Sequence, residues 1–117
     1  MDSRESGLQG GGIPPDPSPA VRAFGPYLMI EDRQELWKDG RRLSLNTQEW
    51  RLLHYLAEHP QRVLDRSEIL ERVWGYGLGT TTRTVDVHVA KLRHRLEESR
   101  APKHILTVRG RGYFFQP

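Results

Sequence analysis

The amino-acid sequence predicts an α+β fold in which an N-terminal antiparallel sheet of about four strands precedes three helices and a C-terminal β-hairpin. Short apolar runs separated by turn residues occupy 24–45, a pattern typical of antiparallel strands. Apolar residues then recur with a helical period from residue 46 onward. Two further strand-like runs meet at Gly110. The 117 residues suit a single domain.

The N-terminal segment is predicted to lie outside that domain. We interpret residues 1–22 as a disordered Gly/Pro-rich linker or tail and residues 23–117 as the folded domain. The segment contains Gly10-Gly11-Gly12 and four prolines between residues 14 and 19, and it shows no apolar period. Such a composition buries too little apolar surface to offset the loss of chain entropy on folding.

The clearest turn of the predicted sheet is Asp39-Gly40. A two-residue type I′ turn between antiparallel strands requires positive φ angles, which glycine adopts without steric cost. The apolar runs on either side of this dipeptide are short, so the strands are expected to be short as well. The sequence from 24 to 45 therefore predicts a meander of hairpin-connected strands.

The first helix is predicted to begin after Asn46, because Asn46 and Glu49 have the spacing of a capping box. Pro60 is expected to end it. Its buried stripe would consist of five apolar residues: Trp50, Leu52, Leu53, Leu56 and Ala57.

A second cap, Asp65 with Glu68, predicts a short helix. Three glycines at 75, 77 and 79 then indicate a flexible loop rather than a phosphate-binding loop, since the lysine of that motif is missing. The short helix would turn three apolar side chains inward: Ile69, Leu70 and Val73.

The third helix, predicted over about 82–98, has the strongest periodicity. Four apolar residues at i, i+4, i+7 and i+11 span only about 60° of its circumference. Asp86, at the edge of that stripe, is expected to pair with a nearby arginine and orient the helix. The buried stripe is Val85, Val89, Leu92 and Leu96, and the opposite face carries Arg83, Thr84, Val87, Ala90, Lys91 and His94.

The positive charge of the chain is confined to one segment. Residues 1–20 carry a net charge of −2, residues 21–82 carry none, and residues 83–111 carry +5 from eight bases and three acids. A localised basic segment is typical of a protein that binds a polyanion. This segment contains the third helix and the tip of a hairpin predicted over about 105–116, Arg109-Gly110-Arg111-Gly112.

A helix with a basic outer face, preceded by two helices and followed by a basic hairpin, indicates a winged helix-turn-helix that binds double-stranded DNA. The major groove admits one α-helix, and small side chains such as Val87 and Ala90 allow a close approach. Lys91 would donate to guanine, and Arg83 to a base or a phosphate. The arginine-rich wing suits the narrow, electronegative minor groove.

Five motifs in this order resemble the OmpR/PhoB-type winged-helix effector domain of bacterial two-component response regulators. The resemblance covers about residues 24–116. The motifs are Asp39-Gly40, the run Leu45 to Leu53, Ser67 to Leu70 with Val73-Trp74-Gly75, Arg83 to Val89 with Leu92-Arg93, and Thr107 to Tyr113.

The resemblance implies a role in phosphorelay signal transduction through transcription regulation, and it implies specific contacts. The third helix would read the major groove, the wing would enter the minor groove, and the loop 75–81 would contact RNA polymerase. The implied DNA-binding residues are Trp74, Arg83, Thr84, Val87, His88, Lys91, Arg93, His94, Thr107, Arg109, Arg111 and Tyr113. The implied polymerase loop is Gly75, Tyr76, Gly77, Leu78, Gly79, Thr80 and Thr81.

The resemblance further implies binding to tandem direct repeats and regulation by a receiver domain. The acidic pocket and doubly wound unit of a receiver are missing from these 117 residues. We therefore expect an effector domain cut from a longer chain, with a stand-alone regulator as the alternative. Two positions depart from the family, because relatives often have arginine where this chain has Ala90 and Lys91. The departure at Lys91 affects operator choice, since lysine cannot bind bidentately as arginine does.

Several other functions are disfavoured by the sequence. No cysteine is present, the histidines lack the i, i+4 spacing of a helical zinc site, and no catalytic triad is recognisable, so neither a metal, a cofactor nor an enzyme activity is expected. No stretch of about 20 apolar residues indicates a membrane span. We expect a cytoplasmic, nucleoid-associated protein. The alternative function is a winged-helix protein-interaction module without direct DNA readout.

Overall fold

The computed structural model describes residues 20–75 and 80–117, and it confirms the α+β architecture. The first four strands are β1 (Val21–Phe24), β2 (Tyr27–Ile30), β3 (Glu35–Lys38) and β4 (Arg41–Leu43). They are followed by α1 (Thr47–Glu58), β5 (Val63–Asp65), α2 (Arg66–Ile69), a π-helical turn (Leu70–Trp74) and α3 (Thr82–Arg95). The last strands are β6 (Ile105–Val108) and β7 (Gly112–Phe115). No helix in the described ranges is both long and apolar enough to cross a membrane.

The first four strands form an antiparallel meander in the order β1-β2-β3-β4. The turn between β3 and β4 is Asp39-Gly40, and both residues have positive φ, 50° and 79°. The predicted type I′ turn is therefore confirmed. The sheet begins at Val21, two residues before the domain boundary indicated by the sequence, and residues 1–19 lie outside the described part of the chain.

The capping box of α1 is present. The Asn46 side chain accepts a hydrogen bond from the Glu49 amide at 2.8 Å, and the Glu49 carboxylate accepts one from the Asn46 amide at 3.0 Å. All five residues of the predicted stripe are buried. The helix ends at Glu58, before Pro60. The capping box aligns α1 so that its apolar face covers the centre of the domain.

The second cap differs from the prediction in one partner. Asp65 caps α2 by accepting from the Ser67 amide at 2.7 Å. Glu68 does not complete a capping box, because its carboxylate accepts from Arg62 at 3.0 Å and from the Tyr55 hydroxyl at 3.2 Å. Ile69 and Val73 are buried as predicted, and Leu70 is partly buried against them.

The C-terminal hairpin belongs to a three-stranded sheet that the sequence did not predict. β7 pairs with β6 on one side and with β5 on the other, so the order is β5-β7-β6. Gly112 lies opposite Asp65 in the β5–β7 register, and a Cβ at Gly112 would collide with the Leu64 carbonyl. The close contact between β5 and β7 therefore depends on glycine at this position.

Helix α3 ends at Arg95, three residues before the predicted end. Glu97 has a positive φ of 63°, which breaks the helical path. Glu98 is then turned into the protein, where its carboxylate accepts from the Tyr27 hydroxyl at 2.6 Å and from the Lys103 amide at 2.9 Å. The predicted apolar stripe is buried in full: Val85, Val89, Leu92 and Leu96.

Candidate nucleic-acid interface

The face of α3 that points away from the core is the face predicted to read DNA. Arg83, Lys91 and His94 are exposed there. Val87 is 44% exposed, although valine normally lies inside a protein. The face predicted to enter the major groove is therefore exposed, and it combines an apolar side chain with cations.

His88 lies at the border between that face and the core. Its Nδ1 is 2.9 Å from the Thr84 carbonyl oxygen, one helical turn back. The imidazole meets the Trp74 indole edge-to-face, with ring centroids 4.9 Å apart. Trp74 and Thr84 are both half-buried. The π-helical turn thus brings Trp74 against the middle of α3. The sequence alone left open whether Trp74 packs or binds DNA.

Asp86 joins three elements. Its carboxylate accepts from Arg66 of α2 at 2.8 Å and from the Tyr113 hydroxyl of β7 at 2.7 Å. The pairing of Asp86 with an arginine was expected, whereas the contact with Tyr113 was missed. Asp86 is the one acid within α3, and Arg66 compensates its charge. This network fixes the rotation of α3 relative to the hairpin.

Tyr113 was predicted to contact DNA, but its ring is only 7% exposed. Burial, together with the hydrogen bond that the hydroxyl donates to Asp86, raises the pKa of Tyr113 to about 12. The hydroxyl is therefore engaged within the domain. The structure places Tyr113 at the junction between α3 and the wing.

Arg93 forms the other half of that junction. Its Nε and Nη2 donate to the Ile105 carbonyl at 3.0 and 2.6 Å, and Nη2 also donates to the Thr107 hydroxyl at 2.9 Å. Its guanidinium lies over the Tyr113 ring, 5.7 Å from the centroid. Burial lowers the pKa of Arg93, yet arginine stays charged at neutral pH. Arg93 thus fastens β6 to α3.

The wing tip is basic and open. Arg109 and Arg111 are exposed, as is Thr107 below them. Gly110 has a φ of 72°, and the Arg111 amide donates to the Val108 carbonyl at 2.9 Å, which closes the turn. The tip therefore presents two guanidinium groups from a tight turn that α3 holds in place.

The predicted polymerase-contact loop is described only at its ends. Gly75 has a φ of 79° and ends the π-helical turn, and Thr81 is the N-cap residue of α3. Tyr76, Gly77, Leu78 and Gly79 lie outside the described residues. Within 20–75 and 80–117, no group of three or more metal-ligating side chains could hold a metal ion.

Comparison with known protein families relates this arrangement to transcription factors. The family model described as "Transcriptional regulatory protein, C terminal" matches residues 40–115. The heme response regulator HssR of Staphylococcus haemolyticus is 39% identical over 90 residues, which cover 77% of this chain and 40% of that protein. The chain spans about two-fifths to one half of the length of the curated relatives it matches.

Two solved structures share the fold. The DNA-binding domain of RstA from Klebsiella pneumoniae, in complex with the RstA box, has a TM-score of 0.76 at 30% identity and covers 83% of this chain and 97% of that one. The Thermotoga maritima response regulator DrrB, an OmpR/PhoB homologue, also has a TM-score of 0.76, at 28% identity, with 83% and 44% coverage. One of these neighbours was thus solved with DNA in place.

Proposed function

We propose that this chain, which belongs to the OmpR/PhoB-type family of transcriptional regulatory C-terminal domains, binds double-stranded DNA at specific sequences and thereby regulates transcription. The observation that carries the proposal is the exposed face of α3, which continues into the arginines of the wing. The likeness to a DNA-bound effector domain supports the same reading.

The recognition helix has the dimensions and surface that the major groove requires. Its 14 residues span about 21 Å, and a helix fits within the roughly 12 Å width of the groove. Exposed Val87 and Ala90 allow its axis to approach the base edges, where they would touch thymine methyl groups. Lys91 would donate to guanine, and Arg83 to a base or a phosphate.

The wing supplies the second set of contacts. We assign Arg109 to the minor groove, where a narrow groove concentrates negative potential, and Arg111 to the phosphate backbone. Thr107 and His94 flank the two surfaces and would bind phosphates. Sequence-specific contacts thus come from α3, while wing contacts set the position of the domain on the duplex.

Three of the predicted contact residues act mainly by holding other groups in place. Arg93 and Tyr113 hold the wing and α3 in fixed relation, and Trp74 supports the His88 ring. We infer that each influences DNA affinity by keeping the two surfaces in register, with phosphate contact as an added role. Such positioning lowers the entropy cost of binding, because the side chains that contact DNA are already held in place in the free protein.

The wider regulatory setting is also a proposal. The matched residues make up only about 39–54% of the relatives' length, which supports a receiver domain in the same full-length protein. We propose head-to-tail binding to tandem direct repeats, contact with RNA polymerase through the loop 75–81, and a cytoplasmic, nucleoid-associated location. No catalytic step is assigned to any residue in this proposal.

Selection from a random duplex library tests the function. Enriched duplexes should contain two half-sites in the same direction, about one helical turn apart. Their affinity should fall steeply as the salt concentration rises. The slope of log K against log[salt] should be about −0.9 for each phosphate contact. An inverted repeat would contradict tandem binding. Failure to enrich any sequence, with no salt-dependent DNA binding, would favour a protein-interaction module.

A further inference from the structure

The tautomer of neutral His88 is set by its contact with Thr84. A carbonyl oxygen can only accept a hydrogen bond, so the 2.9 Å contact to the Thr84 oxygen requires a proton on Nδ1. In a neutral imidazole the other nitrogen then carries a lone pair and no proton. Neutral His88 therefore presents an acceptor at Nε2.

Nε2 of His88 is the nitrogen available to DNA. It has no hydrogen-bond partner within residues 20–75 and 80–117, whereas Nδ1 is used inside the helix. Phosphate oxygens only accept hydrogen bonds from a protein at neutral pH, so the lone pair of neutral Nε2 faces them unfavourably. An imidazolium at the same place would donate a charge-assisted hydrogen bond.

The charges around His88 further favour the imidazolium form when DNA is bound. Trp74 from the π-helical turn packs on the ring, and that turn also carries exposed Glu71 and Arg72. On α3, Lys91 lies three residues beyond His88 on a neighbouring part of the helix surface. The acid of this helix, Asp86, is bound by Arg66 and Tyr113. The exposed face is therefore cationic, and a phosphate would reverse the local charge.

We propose that His88 couples DNA binding to the uptake of one proton, so that affinity falls as the pH rises through the neutral range. This inference rests on the proposed DNA-binding function and adds a regulatory property to it. A single coupled proton changes affinity by up to tenfold per pH unit wherever the complex holds the proton and the free protein does not. DNA and the proton favour each other's binding reciprocally.

The test measures dissociation constants on the selected duplex from pH 6 to 8 at fixed ionic strength. His88→Gln keeps a neutral hydrogen-bond donor but cannot titrate. His59→Gln is the matched control, because His59 makes the same contact, Nδ1 to the carbonyl of residue 55 at 2.9 Å, at the C-terminal end of α1, and no DNA contact is assigned to it. Far-ultraviolet circular dichroism checks that both variants fold.

Between pH 6 and pH 8 the wild type and His59→Gln should lose about tenfold more affinity than His88→Gln does, because His94, which is also assigned to phosphate, is present in all three proteins. Calorimetry in two buffers of different ionisation enthalpy should give about one more proton taken up by the wild type than by His88→Gln. Parallel pH profiles in all three proteins would overturn the proposal.

A spectroscopic readout on the unaltered protein separates the possible failures. Nitrogen-15 chemical shifts of His88 should report a proton on Nδ1 alone in the free protein at pH 7.5, and protons on both nitrogens in the complex. A complex in which His88 stays neutral would refute proton coupling while leaving DNA binding intact. Absence of binding at pH 6 and low salt would instead remove the proposed function itself.

Discussion

Lys91 is the residue on which sequence readout is expected to depend most directly. It is exposed on the outer face of α3, one turn beyond Val87. The family resemblance predicts arginine at this position, and lysine offers a flexible point charge in place of a bidentate fork. The departure, together with Ala90, means that operators of relatives should not be transferred to this protein.

Replacing Lys91 by alanine should cost about 1–3 kcal/mol on the cognate site and relax selectivity at one base position, because a base-edge contact is lost. Arg111→Ala is the matched control, since it removes a cation assigned to the backbone and should weaken all sequences alike. Affinity measured on a panel of single-base site variants distinguishes the two. Unchanged selectivity in Lys91→Ala would mean that the reading face has been misassigned.

The ionisation of Tyr113 makes the stability of the fold depend on pH in the alkaline range. Its pKa is raised to about 12 by burial and the Asp86 bond, so the folded state holds the phenolic proton more tightly than the unfolded chain does. Because folding raises this pKa, the stabilisation is complete below pH 10 and is lost as the pH rises toward 12. Burial also raises the pKa of Tyr27 and of Tyr55.

The free energy of unfolding, measured in urea between pH 9 and pH 12, should therefore fall with rising pH. Tyr113 alone should account for up to about 3 kcal/mol of that loss. Tyr113→Phe should be less stable at pH 8, because Asp86 loses a donor, but should show a flatter decline. A decline as steep as that of the wild type would mean that Tyr113 ionises freely in the folded protein.

At the scale of elements, the capping box fixes the residue at which α1 begins. Asn46→Ala should lower the free energy of unfolding by about 0.5–2 kcal/mol, because the Glu49 amide loses its acceptor. Thr47→Ala, at the exposed first position of the same helix, should change stability far less. Urea unfolding measures both, and equal effects would mean that propensity rather than capping sets this end of the helix.

Elements with a local signal could be predicted from the sequence, and elements made by distant contacts could not. Asn46 and Asp39-Gly40 act through neighbours in the chain, so their helix start and turn were foreseen. β5 has only three residues and becomes a strand because β7 pairs with it about 50 positions later. The early end of α3 has a similar cause, since Glu98 is held by Tyr27 from the first sheet.

The same distinction applies to the site. The exposed face of α3 follows from the helical period, so its members could be identified without a structure. The junction could be identified only in part. Asp86 was expected to find an arginine, but its bond with Tyr113 and the bonds from Arg93 to the Ile105 carbonyl join separate elements. Nothing in the local sequence pattern indicates which side chains of separate elements will form such hydrogen bonds.

For the whole molecule, the distribution of charge matters more than its sum. Removing residues 1–19 leaves 17 basic and 12 acidic residues, a net charge of +5 in place of +3. The shortened protein should bind the cognate duplex about two- to threefold more tightly at low salt, because the acidic segment no longer opposes approach to the phosphates. Above about 0.5 M salt the two proteins should bind alike.

A control for this comparison replaces Asp2, Glu5 and Asp16 by their amides in the full chain. If charge is the cause, the amide variant should behave as the shortened protein does at every salt concentration. An effect of shortening that persists at high salt would point to a specific contact made by residues 1–19. The free energy of unfolding should be the same for all three proteins if the segment is a linker.

The pairing of β5 with β7 also bears on how this protein is made. Val63 to Asp65 meet their partners only after the chain has been synthesised through Phe115, whose buried ring completes the same sheet. Closing so long a loop is slow compared with forming α1 or the meander. The wing therefore cannot pack against α3, and the DNA-binding surface cannot be completed, before strands β6 and β7 have emerged from the ribosome.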